Sequence, residues 1–157
     1  MEECLPSNMK TEIQRLIDIL EHTFEKNAWH GPAMMEVLTE IDERIVNKKL
    51  NDTHSILELV AHMTAWRNFV TERLLGNTSF EVSEEMNFPA SSSWSQAVDS
   101  LRQSQSRLID SLEKFPVERL NELVANRPYK FSTMAHGIIH HDLYHLGQIV
   151  LIKKIHQ

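Results

Sequence analysis

The sequence predicts an all-α chain folded as a four-helix bundle, and three observations carry that prediction. Glycine and proline are sparse, with 4 and 5 in 157 residues, so few points interrupt a helix. No stretch sustains the alternation of a half-buried strand, whereas leucine and isoleucine recur at three- and four-residue steps. Four such stretches of roughly 19 to 23 residues stand out, each about 30 Å long as a helix, and packing them side by side is the economical way to bury their apolar faces. At 41% hydrophobic residues, residues 1–157 read as one domain with its own core, opened by a polar leader over 1–8.

The first helix is expected from about Met9 to Asn27, with Ile13, Leu16, Ile17, Leu20 and Phe24 along one face. A long connection follows, broken at Gly31-Pro32 and Asn51-Asp52, with MMEVL as a short helical turn. Ser55 and Glu58 form an S-x-x-E capping box that opens the second helix, and Gly76 suits the left-handed position after its last residue, Leu75. Its apolar face is Ile56, Leu59, Val60, Met63, Trp66, Val70 and Leu74. His62 stands at the edge of that face, flanked by Trp66 and Phe69 as packing residues, and Glu58, Asn68 and Glu72 form the solvated side.

Residues 76–93 show no period, and a connection of this length points to a lid, a binding loop or a crossover. Ser93 with Gln96 then caps a third helix that Phe115-Pro116 ends. Ser132 or Thr133 is expected to cap the fourth, Met134 to Lys154.

Charge and composition narrow the function. The net charge is −6 with the histidines neutral, and the basic residues are scattered, which argues against nucleic acid or an anionic membrane surface as partner. No segment approaches the roughly 18 apolar residues of a membrane span, and the N-terminus lacks the apolar run of a signal peptide. The single cysteine, Cys4, can make no intramolecular disulfide. Nothing near it would lower its pKa, so it reads as an idle thiol. A cytoplasmic protein is the expectation.

The chemistry concentrates on the last helix, which holds His136, His140, His141 and His145 of the nine histidines. Two pairs have the i, i+4 spacing that stacks side chains on one face, His136 with His140 and His141 with His145. His141, His145 and Gln148 fall within about 60° of arc, on the face of Met134, Ile138 and Ile152. A second stripe, Ile139, Leu143, Leu146 and Val150, lies nearly opposite, so the helix is apolar most of the way round and is expected to pack both within its bundle and against something else, which makes this stripe a candidate packing or homodimer surface. His136 and His140 point a third way, with Tyr144, Gly147 and Lys154, toward solvent.

An i, i+4 histidine pair can present both imidazoles to one metal ion, and a third from another helix completes a set with open positions. His62 is the best third ligand, and all-imidazole ligation suits zinc, nickel, iron or copper over calcium or magnesium. Against this stands the plain reading: nine histidines produce such pairs by chance, and a lone histidine on an apolar face is commonly a hydrogen-bonded core residue. His22, His30, His54 and His156 read as surface groups. No phosphate loop, nucleophile elbow or cysteine zinc motif is present. Glu58 reads as a cap before a general base. Gln148 either hydrogen-bonds near the site or fills the bundle, and Trp29, Phe88 and Trp94 are candidates to line an opening.

HSILELVAHMTAWRNFV followed by HGIIHHDLYHLGQIVLIKK resembles the DinB/YfiT-like superfamily of four-helix bundles, and AWHG around Trp29 is similar to that family as well. The H-x-x-x-H-x-G-Q block, His141 to Gln148, is the most specific part. The resemblance implies that His62, His141 and His145 are the ligands of a divalent ion (zinc, nickel or iron). It implies up-down-down-up topology with residues 76–93 as crossover, and a homodimer. Members of that superfamily include metal-dependent thiol transferases and isomerases that use low-molecular-weight thiols such as bacillithiol or mycothiol, so the expectation is a metal-dependent enzyme, a thiol-S-transferase or hydrolase, with such a thiol or another small molecule as substrate partner. The alternative is a non-catalytic dimeric bundle with a structural metal.

Overall fold

The computed structural model describes residues 11–89 and 93–157; Cys4, the polar leader and the Met9 start expected for the first helix lie outside them. Helix α1 (Glu12–Phe24) begins at Thr11, whose side chain caps Gln14 N–H in a reciprocal box. A short α2 (Met34–Thr39) follows at the MMEVL turn, then α3 (Ile56–Leu74), a one-turn α4 (Glu84–Asn87), α5 (Trp94–Glu113) and the long α6 (Phe131–His156). No strand is present among the described residues, and the fold is all-α.

The expected caps hold in detail. The Ser55 N–H donates to Glu58 Oε2 at 2.7 Å while Ser55 Oγ accepts from Glu58 N–H at 3.3 Å. Ser93 and Gln96 repeat the arrangement at 3.1 and 3.3 Å. Each box satisfies two backbone donors that a helix start leaves open. At the far end of α3, Gly76 has φ +87°. Its N–H reaches Arg73 O and that of Asn77 reaches Glu72 O, the paired bonds of a Schellman ending, in which a β-carbon would strain the backbone.

The start of α6 differs from expectation. Ser132 and Thr133 lie inside its first turn, and Lys130 is the cap residue, with no side-chain bond. Packing sets this boundary: Phe131 is buried against Phe115 at 4.8 Å, and its N–H donates to Glu122 O beside the Leu123–Lys130 bridge. A tertiary anchor overrides local capping chemistry here.

Two buried apolar clusters fill the interior. One joins the N-terminal halves of α3 and α5 with the C-terminal half of α6, and adds α2 and the end of α1. The other joins the C-terminal halves of α3 and α5 with the N-terminal half of α6 and most of α1. Thus α3 and α6 share the two clusters in opposite order along their lengths, whereas α3 and α5 share them in the same order. Helix α3 packs most heavily on α5 and next on α6. Between the clusters lies a buried polar layer that contains His62, Arg67, Gln105, Asp142 and His145.

The stripe Ile139, Leu143, Leu146 and Val150 requires a correction. Ile139 and Leu146 are buried in the chain's own core, and Leu143 and Val150 pack partly buried against it. Helix α6 is apolar nearly all round because several helices of its own bundle surround it. Its exposed apolar residues are Tyr144, Leu151 and Ile155. No helix among the described residues is long and apolar enough to cross a membrane.

Candidate metal centre

His62 projects from the second turn of α3, and His141 and His145 project from successive turns of α6. Because α3 and α6 pack against each other, the three rings meet. One ligand nitrogen from each lies within 4.8 Å of the other two. The Nε2 atoms of His62 and His141 are 3.0 Å apart, and the ring centroids of the three are separated by 4.5 to 5.0 Å. An ion about 2.0 to 2.1 Å from each imidazole nitrogen needs ligand nitrogens roughly 3 to 3.5 Å apart, a separation that the His62–His141 pair already meets, and the cluster as a whole could hold one ion.

The outward sides of two of the rings are tied to the scaffold. His62 Nδ1 donates to the Asn87 carbonyl at 2.7 Å, and His145 Nδ1 donates to Gln148 Oε1 at 2.6 Å. Both bonds put the proton on Nδ1 and leave Nε2 with its lone pair toward the centre. For His141 the group facing Nδ1 is Asp142 Oδ1, at 3.5 Å.

Electrostatics favour ligation as well. Burial pushes His62 down to about 4, the neighbouring His141 and His145 rings act in the same direction, and the Asn87 carbonyl opposes them. Burial also lowers His145, against the Gln148 contact. Both imidazoles are therefore neutral at pH 7, the form that binds a metal. The donor set is three neutral nitrogens without a carboxylate, which leaves an ion its full charge and suits borderline metals such as zinc, nickel or iron.

Residues 83–88, in the connection between α3 and α5, cover this centre. Helix α4 starts at Ser83, whose hydroxyl accepts from Met86 N–H at 3.2 Å, and it delivers Asn87 and Phe88 onto His62. Besides its carbonyl bond, Asn87 takes Trp66 Nε1–H on its side-chain oxygen at 2.9 Å. Phe88 stacks on His62 at 4.3 Å and on His54 at 3.5 Å, giving a three-ring pile. Two cavities flank the triad. One of about 260 Å³ touches His141 and is walled by Trp66, Phe69, Tyr129 and Ile138. The other, of about 390 Å³, touches His145 and holds His54, Tyr144 and Gln148.

Several sequence-derived roles can now be assigned. Gln148 is at the site, on His145. Glu58 caps α3, where Lys49 holds it at 2.8 Å. Phe88 lies at the site, whereas Trp29 is fully exposed and Trp94 packs against the core. His54 remains half exposed, yet it extends the ring pile over the centre. His136 faces Glu12 of α1 at 3.3 Å and His140 is exposed, so neither joins the triad. Sequence reasoning missed Asn87, Arg67 and Asp142. The first gave no signal. The other two did: Arg67 replaces an apolar residue in the register Met63, Val70, Leu74, and Asp142 does so in the register Ala135, Ile139, Leu146, Ile149.

A family model described as the DinB superfamily matches residues 27–149. That span contains the triad, the covering segment and most of α6. No curated protein and no solved structure matches the chain. A match over most of the length, joined to an all-α fold and the clustered histidines, establishes that the chain belongs to the DinB superfamily.

Proposed function

We propose that the protein is a divalent-metal-dependent enzyme, a thiol-S-transferase or hydrolase acting on small molecules, with His62, His141 and His145 as ligands. The observation that carries this reading is the convergence of three imidazoles, one ligand nitrogen from each within 4.8 Å of the others, beside two open cavities. When bound, a divalent ion supplies a Lewis acid that lowers the pKa of a thiol or water in its open positions. The chain's own contribution is positional: His62 and His145 hold their protons on Nδ1 through Asn87 and Gln148, Phe88 shields His62 from water, and the cavities admit a low-molecular-weight thiol and its electrophile. A homodimer belongs to the same proposal, through the exposed Tyr144, Leu151 and Ile155 of α6. Sedimentation of the wild type against Leu151→Glu tests it.

Metal content of the untagged protein decides the central claim. About one zinc, nickel or iron ion per chain in the wild type and a near-complete loss in His141→Ala are expected; equal, near-zero content in both sinks it. The alternative, a bundle with a purely structural metal, draws support from the Phe88 and His54 rings that cover His62. Cobalt-loaded protein separates the two: a thiolate-to-cobalt absorption band on adding a small thiol marks an open site, and an unchanged spectrum marks a closed one.

A further inference from the structure

Beside the triad, buried polar atoms without partners lie close together. Among the described residues, His141 Nδ1 has no hydrogen bond and neither has either carboxylate oxygen of Asp142, yet Nδ1 and Oδ1 are only 3.5 Å apart. Asp142 is 4% exposed and Arg67 2%. Arg67 Nη2 stands 2.7 Å from Asp142 Oδ2, an ion pair by distance whose angle misses hydrogen-bond geometry. Arg67 also donates to Gln105 Oε1, and the Gln105 amide donates to the Leu20 carbonyl at 3.1 Å. This polar chain starts on α1, crosses α5 and α3, and ends on α6 against His141.

Stability alone gives such an arrangement little reason to exist. A buried ion pair recovers its desolvation cost poorly, and apolar residues of similar volume serve a core at least as well. An unpartnered buried donor beside an unpartnered buried acceptor is costly in addition. A single hydrogen bond between His141 Nδ1–H and Asp142 Oδ1 satisfies both atoms and needs only a small rotation of either side chain.

We propose that Asp142, held in place by Arg67, is the positioning residue for His141: its carboxylate accepts the Nδ1–H and so fixes the ring with Nε2 directed at His62, the nitrogen that would give its lone pair to an ion. Asn87 and Gln148 serve the other two rings in the same way, which gives all three a common design. The difference is charge, because a carboxylate makes the imidazole a stronger donor to a metal than a neutral carbonyl does. The inference rests on the metal reading for its zinc measurement only, since the tautomer belongs to the metal-free protein.

The test combines a long-range 1H–15N correlation spectrum of the metal-free protein, with His141 assigned through His141→Gln, and a zinc titration against a chromophoric chelator. Wild type is expected to show a proton on His141 Nδ1, whatever proton the 3.0 Å contact between its Nε2 and that of His62 carries. In Asp142→Asn the new carbonyl stays on Arg67, so the amide turns its N–H toward His141 and the ring proton moves to Nε2. Zinc affinity then falls by about 10- to 100-fold. The double variant R67M/D142N frees the amide to rotate, and its carbonyl restores the Nδ1 proton and most of the affinity. An ion pair that merely stabilises the core leaves the tautomer unmoved. A wild-type His141 with no proton on Nδ1 overturns the proposal, as does an Asp142→Asn variant that keeps both the Nδ1 proton and the affinity, or a double variant without recovery. Should the single variant not fold, the wild-type spectrum and the double variant decide. If the wild type takes up no zinc, the metal reading fails while the spectrum still judges Asp142.

Discussion

His136 stands above His140 on α6, as His141 stands above His145, but His136 and His140 face solvent and Glu12 whereas His141 and His145 face His62 of α3. The intrahelical geometry of the two pairs is the same. What separates them is what lies opposite and behind. His141 and His145 have Asp142 and Gln148 against their outer nitrogens, a ring pile over their partner and a low-dielectric surround. His136 has one exposed carboxylate at 3.3 Å. A helical histidine pair becomes a ligand pair only where a neighbouring helix supplies the third group and the outer nitrogens are tied down.

The largest effect that would sharpen this contrast is metal loss. His145→Ala is expected to lower bound metal at least tenfold in elemental analysis, and His136→Ala and His140→Ala are expected to match the wild type; a shared loss would erase the distinction. Next in size is Arg67→Met, which leaves the Asp142 carboxylate buried and unpaired and is expected to cost about 3 to 5 kcal/mol in urea unfolding. The partners of the outer nitrogens should differ as well. Gln148→Leu is expected to weaken zinc binding by about tenfold or more, because His145 Nδ1 loses its acceptor. Glu12→Ala, the matching change on the other pair, should leave zinc affinity where it was.

The pH dependence follows from the folded-state values. His62 is depressed to about 4 from its ordinary 6.5 and His145 is lowered too. Between those values the unfolded chain binds more protons than the folded one. The metal-free protein should therefore lose stability as pH falls from 6.5 toward 4, with no change from these groups above 6.5. His62→Gln flattens that slope in thermal melts recorded across the range, whereas His136→Ala leaves it. The smallest effect is the stability cost of His136→Ala itself, at most about 0.5 kcal/mol, as befits an exposed pair.

Periodicity and capping chemistry alone determined a good deal. The all-α class, the boxes at Ser55 and Ser93 and the Gly76 ending follow from rules acting within a few residues, and the choice of His141 with His145 over His136 with His140 came from their place on the wheel of the whole helix together with family likeness. His62 as third ligand came from residue type and position together with family likeness. Tertiary structure decided the rest, because it depends on which surfaces meet. Phe131 rather than Ser132 or Thr133 begins α6, since packing on Phe115 outweighs a hydroxyl cap. The stripe through Ile139 and Leu146 faces the chain's own core, because helices pack around most of α6. Asn87 reaches His62 across 25 residues of sequence, and Arg67 reaches Asp142 across a helix interface. Contacts of that range leave no local spacing to read. Only the misplaced charges at 67 and 142, set where apolar side chains belong, hinted from the sequence that something polar had to be built inside.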